Sequence, residues 1–149
     1  MRKLFILSAL FLGFAVLAPA YAQNADAVLG TWTTQSGNAR VQIYKCGSNY
    51  CGKIVWLREP NYPAGDAMAG QPKVDRENPD QSKRTRPIMG LNLVWGFSYD
   101  DGEWSGGRIY NPEEGKTYSC TLTLESPNRL KVRGYIGVSL IGKTQYWTR

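Results

Sequence analysis

From residue 28 to residue 148 the chain never sustains a helical period. It repeats short runs of alternating apolar and polar residues, each cut off by Gly, Pro, Asn or Asp. Alternation at every second position marks a strand with one dry face, which sets aside helical bundles and parallel α/β folds at the outset. Strands are expected at 28–34, 39–45, 52–57, 91–99, 103–110, 117–124, 129–135 and 140–148. Mostly tight connections between them predict an all-β fold, an eight-stranded antiparallel up-and-down β-barrel rather than an open sandwich. Such a barrel is just wide enough inside for one small ligand, or for its own side chains.

One connection departs from this rhythm. Residues 58–87, between the third and fourth expected strands, read REPNYPAGDAMAGQPKVDRENPDQSKRTRP and contain five prolines. Long connections in a small domain are usually lids, binding loops or disordered segments. Asn78-Pro79 has the form of an N-cap followed by proline at the first helical position, the start of a short helix that would cover one barrel mouth. Lys83, Arg84 and Arg86 cluster before Pro87, either as solvated loop charge or as guidance for an anion approaching the barrel. Asp75, Asn78 and Asp80 lack the spacing and the glycine of a calcium loop, so turn and cap hydrogen bonds account for them and no metal is expected.

The first 22 residues, MRKLFILSALFLGFAVLAPAYA, have the form of a secretory signal peptide. Arg2 and Lys3 precede an apolar run, and Ala20-Tyr21-Ala22 supplies a cleavage site. The mature chain would be residues 23–149, a single domain released to the periplasm or beyond the cell. The leader's apolar run is too short for a membrane anchor, and no later stretch is apolar enough to replace it. The formal net charge of +6 is spread without a basic stripe, which argues against nucleic acid and for solubility with weak attraction to anions.

That destination decides how the cysteines are read. Cys46 and Cys51, in VQIYKCGSNYCGKIVWL, are separated by four residues rather than the two of a redox or zinc motif. With no histidine and three cysteines, the chain falls short of a structural zinc site, and in an oxidising compartment the default is a disulfide. If Cys46 faces Cys51 across a four-residue loop, Ile43 pairs with Ile54 and Val41 with Trp56 on an apolar inner face. The cysteines then form a staple on the outside of the hairpin.

The stretch LNLVWGFSYDDGEWSGGRIY supplies a candidate interior. A two-residue Asp101-Gly102 turn pairs Tyr99 with Trp104, Phe97 with Gly106, Trp95 with Arg108 and Leu93 with Tyr110. Under unbroken alternation these share one face, and the other is polar apart from Val94 and Ile109. The aromatic face is expected to point inward and to take Arg108 with it. An extra residue at Gly115, in NPEEGK, would then set Tyr118 opposite Tyr110 and Cys120 opposite Arg108. Arg108, Trp95, Trp104, Tyr110, Tyr118, Cys120 and Trp56 form the candidate ligand-binding set, with Arg108 receiving an anionic head group. Alternatively Arg108 pairs with an internal carboxylate, stacks on Trp95 or snorkels to the rim, and Cys120 is a small core hydrophobe.

Two short motifs at the ends of the mature chain resemble the lipocalin arrangement: Gly30-Thr31-Trp32 on the first strand and Trp147-Thr148-Arg149 at the end. The resemblance implies that Trp32 packs beneath Arg149 and closes one barrel end. More broadly, GTW, CGSNYCGKIVWL, DRENPD, RTRPIMGL, WSGGRIYNPEEGKTY, VRGYIG and GKTQYWTR resemble a bacterial exported family, domain of unknown function 2147. That resemblance implies a lipocalin-like barrel in the bacterial envelope and supplies neither a substrate nor catalytic residues.

These expectations lead to a periplasmic binder of a small, apolar, anionic molecule such as a fatty acid, with no cofactor. A second class is an envelope structural or interaction protein whose barrel is filled by its own nine tyrosines and five tryptophans. A third is a small lyase or isomerase using Tyr110, Tyr118 and Arg108, although the expected interior offers no carboxylate base. Whether the interior is hollow separates the first class from the second.

Overall fold

The computed structural model describes residues 24–138 and 142–149. The expected leader lies outside these residues, as does Leu140 at the start of the last expected strand. The strands are β1 (Gly30–Thr33), β2 (Ala39–Cys46), β3 (Asn49–Leu57), β4 (Asn92–Asp100), β5 (Glu103–Asn111), β6 (Lys116–Ser126), β7 (Arg129–Tyr135) and β8 (Gly142–Thr148). Each pairs antiparallel with the next, and Thr33 with Thr148 closes β1 onto β8. The fold is thus the expected eight-stranded up-and-down barrel.

Before β1 the chain forms a 3-10 turn, Ala25–Val28, where an extended strand start was expected. The Asn24 side chain accepts from the Asp26 amide and so caps that turn. The long loop carries one further 3-10 turn, Gln81–Lys83, capped by Asp80. Asn78 instead accepts from the Asp80 amide at 2.9 Å, so the helical start lies two residues beyond the Asn78-Pro79 site that the sequence suggested.

The β2–β3 hairpin is tighter than expected. Its turn is Gly47-Ser48, so Cys46 sits opposite Asn49, Tyr44 opposite Cys51, Ile43 opposite Gly52 and Val41 opposite Ile54. A bulge between Arg40 and Val41 then sets Trp56 opposite Arg40, on the outside. The Trp56 ring is 37% exposed, with the Arg40 guanidinium 4.8 Å from its centroid, so its expected place in the interior is corrected. Cys51 alternates with the inward Tyr50 and Gly52, and its disulfide to Cys46 runs diagonally across the outer face.

In the β4–β5 hairpin the expected partners are right and half of the expected face is wrong. Tyr99 pairs with Trp104 and Trp95 with Arg108. Between those pairs, Gly96 (φ 78°) and Gly106 (φ 72°) adopt the left-handed backbone that other residues avoid. Both strands turn over there together. Tyr99, Trp104 and Phe97 point in near the Asp101-Gly102 turn, whereas past the glycines Val94 and Ile109 point in and Trp95 and Arg108 point out. β6 follows the corrected face: Cys120 pairs with Gly107 and Tyr118 with Ile109 across a four-residue turn, without the extra residue expected at Gly115.

The interior is densely filled. Trp32, Val41, Val94, Phe97, Trp104, Cys120, Leu122 and Leu130 are 0% exposed and Trp147 is 1% exposed. A void able to admit water would expose part of these surfaces. At Gly107 even a methyl group would overlap the Phe97 ring, and at Gly52 it would lie 2.6 Å from a Val94 methyl. Interior packing of this kind is a crystal-like jigsaw.

Candidate functional site

One end of the barrel is sealed by the segment that precedes β1. Trp32 donates from Nε1 to the Val28 carbonyl at 2.9 Å, and Trp104 donates to the Ala25 carbonyl at 3.0 Å. The Arg149 guanidinium lies 4.2 Å from the Trp32 ring centroid and donates to the carbonyls of Leu29, Ala27 and Pro127. Three backbone acceptors in fixed positions match the planar fork of arginine, which a lysine could not reproduce. Tyr50 adds a 2.7 Å hydrogen bond to Asp26, whose carboxyl is held below its usual range by that bond and by Lys45 at 3.0 Å. Burial, followed by the bond to Asp26, raises the Tyr50 phenol to about 12.

A second buried constellation lies under the long loop, outside the sheet. Tyr110 shares its side of β5 with the exposed Arg108, two residues away, yet is only 5% exposed because residues 75–86 cover it. Its phenol donates to Asp75 Oδ1 at 2.6 Å. Asp75 Oδ2 accepts from Asn78 Nδ2 and Arg86 Nε, both at 2.7 Å, and Asn78 Nδ2 also reaches the Tyr110 oxygen at 3.1 Å. Arg84 donates from Nε to the Asn78 carbonyl at 2.7 Å. Asp75 is 0% exposed, as buried as Trp32 and Trp104 inside the barrel, and accepts from Tyr110, Asn78 and Arg86.

This cluster contains the carboxylate beside Tyr110 that the expected interior lacked, and its chemistry is that of a clamp. No substrate atom can reach an Asp75 oxygen without displacing a loop donor. Burial, followed by the Asp75 bond, raises the Tyr110 phenol to about 12, so it stays a protonated donor at neutral pH. The arrangement ties two parts of the long loop, Asp75 to Asp80 and Arg84 to Arg86, to Tyr110 at the end of β5, just before the β5–β6 turn. An added methyl at Gly115, in that turn, would overlap the Glu77 carbonyl.

The expected ligand-binding residues do not converge. Trp104 and Cys120 are inside, and burial raises the Cys120 thiol to about 12, which suits a core hydrophobe. Tyr110 is under the loop, and Trp56, Trp95 and Arg108 are on the outer face; Arg108 donates to Ser119 Oγ at 3.3 Å. Tyr118, opposite Ile109, is on the inward side of β6 as expected, but it is half-buried near the β5–β6 turn and its phenol donates outward to Glu114 at 2.6 Å. Of the cationic loop cluster, Lys83 lies 3.5 Å from Asp80, while Arg84 and Arg86 serve the clamp. The expectation of an inward Arg108 beneath an aromatic wall is therefore corrected. Val94 and Ile109, the two apolar exceptions on the supposedly polar face, were the sequence sign of the reversal.

A groove of about 300 Å³ on the outside of β5, β6 and β7 is lined by Glu103, by the hydroxyls of Ser105, Thr121 and Thr123, and by Lys131 and Arg133. Among the described residues no group of three or more Cys, Asp or Glu side chains is placed to hold a metal ion.

No curated relative matches the chain in sequence. A solved structure, protein HP1028 from the human pathogen Helicobacter pylori, described as belonging to the lipocalin family, superimposes with a TM-score of 0.68 at 21% identity over 81% of each chain. This likeness shows a shared lipocalin-like barrel. The family model described as an uncharacterized protein conserved in bacteria, DUF2147, matches residues 30–149, and the chain belongs to that family.

Proposed function

We propose that the protein is an exported component of the bacterial envelope whose barrel is a filled structural core and which acts through its outer surface. The carrying observation is the packing of Phe97 against Gly107 among side chains that are 0% exposed, which leaves no volume there for a ligand body. Export is supported by the form of the leader, by the Cys46–Cys51 disulfide and by the bacterial family. The carrier of a fatty-acid-like anion, which the lipocalin-like fold invites, would need a displaced ring set and an inward cation, and Arg108 points the other way.

The test is native mass spectrometry of protein released from the periplasmic fraction. The expected species has the mass of residues 23–149 with one disulfide and no adduct. A stoichiometric lipid that survives gentle desolvation and displaces a fluorescent fatty acid would overturn the filled-core reading. Recovery of the chain from the cytoplasm with its leader intact would overturn export.

A further inference from the structure

Of the β7–β8 tip, the described residues 136–138 expose apolar side chains more than any other described part of the surface. Ile136 is 68% exposed and Val138 is 60% exposed, whereas the other exposed large hydrophobics, Val55, Trp56 and Met89, reach 39%, 37% and 43%. Single exposed aliphatics are ordinary, but two at a projecting turn, far more open than any others described, form a patch. They flank Gly137, whose φ of 73° turns the chain between them.

The surroundings of the tip say what it fits. In an up-and-down barrel the β7–β8 tip projects from the same end as the β5–β6 turn and the long loop, away from the end sealed by Arg149. β6 runs past the last β7 partner, Ser119 with Tyr135, so its first residue, Lys116, lies beside the tip, and Lys143 is the second residue of β8 on the other side. Both lysines are exposed, and both bear on Glu114, whose carboxyl is held low first by the Tyr118 hydrogen bond. Glu113 is exposed on the same turn. An apolar point with cations at its base matches the layering of an anionic bilayer, where acyl chains lie beneath phosphate groups.

We propose that this end of the protein docks on anionic lipid membranes, with Ile136 and Val138 entering the acyl boundary and Lys116 and Lys143 meeting lipid phosphates. The proposal rests on the outer-surface reading and gives it a partner: the lipid is a surface beneath the barrel and not a cargo within it. Neither element suffices alone, since firm attachment takes an apolar and an electrostatic contribution together.

The experiment is co-sedimentation of the mature protein with vesicles of phosphatidylglycerol and phosphatidylcholine, compared with phosphatidylcholine alone. Binding is expected on the anionic vesicles, falling about 10-fold in I136S/V138S and several-fold in K116Q/K143Q, with the lysine effect absent on neutral vesicles. All four side chains are exposed, so unchanged melting temperatures are expected to verify the fold. Failure of the native protein to sediment with anionic vesicles, or equal sedimentation of I136S/V138S, would overturn the proposal. Self-association without lipid that disappears in I136S/V138S would also overturn it, by assigning the tip to a second copy of the chain. Failure here leaves the native mass measurement untouched, and a lipid adduct there leaves this measurement to be read separately.

Discussion

Two regions of the molecule are equally dry and are held together by different physics. Inside the barrel, Val94, Phe97, Leu122 and Leu130 belong to one cluster of buried hydrophobic side chains, and the stabilisation is area removed from water. Under the long loop, Asp75 is just as buried and is held by three donors from Tyr110, Asn78 and Arg86. The interior is many small contacts, so losing one side chain leaves a cavity whose cost scales with its volume. The clamp is a few strong contacts around one charge, so losing one partner strands the others. The first region sets whether the barrel exists. The second sets whether 30 irregular residues, 58–87, stay on it.

The largest expected effect breaks the interior. Phe97→Ala should destabilise the protein by about 3–5 kcal/mol in denaturant unfolding. Gly107→Ala, alone, should lose about 1–3 kcal/mol, because its methyl overlaps the Phe97 ring. In the Phe97→Ala background the glycine substitution should be nearly neutral, since the ring it struck is gone. Additive losses would mean that the two positions do not share one filled space.

Breaking the clamp should look different. Asp75→Ala leaves the Tyr110 hydroxyl, the Asn78 amide and the Arg86 guanidinium without their acceptor, at about 2–4 kcal/mol. The sharper readout is limited trypsin digestion. Cleavage at Lys83 or Arg84 should accelerate while the tryptophan fluorescence of the barrel stays native. Phe97→Ala should instead open all sites together. Equal cleavage patterns in the two variants would erase the distinction between the regions.

This contrast also explains what the sequence could and could not disclose. Strand order, the outside staple and the Trp95–Arg108 pairing follow from alternation and turn chemistry, which act within a few residues. The face of Arg108 depended on two left-handed glycines that turned both strands over without altering their partners. An inward Arg108 requires an extra residue at Gly115 to keep Cys120 on the same side. With Arg108 outside, a plain four-residue turn keeps Cys120 on the inward side, and that turn is the one that forms. Asp75 with Tyr110 is illegible for another reason: the partners are 35 residues apart, and the loop that carries Asp75 has no periodicity to align it with β5.

The Cys46–Cys51 staple tests whether a covalent tie on the outer face matters to either region. Cys46→Ser/Cys51→Ser should lower stability by about 2 kcal/mol, the chain-entropy value for so short a loop. Because the staple spans β2 and β3 only, trypsin sensitivity of the long loop should not change. Selective release of the loop would mean that the hairpin and the clamp are coupled.

The smallest effect separates the clamp from the sealed end by pH. Tyr50 and Tyr110 each donate to a carboxylate and have phenols raised from 10.0 to about 12. A raised folded value stabilises the protein fully below pH 10, where the unfolded phenols are still protonated, and that contribution is lost as pH climbs through 12. Within that window each tyrosine gives a slope of at most about 1.4 kcal/mol per pH unit. Tyr110→Phe should lower stability at pH 8 by removing a donor to Asp75, and should flatten the decline between pH 10 and 12. Tyr50→Phe should flatten it as well, but without raising trypsin cleavage of the long loop, since its partner Asp26 is at the opposite end. If both variants release the loop, the two ends of the barrel are mechanically linked and the clamp is not a separate unit.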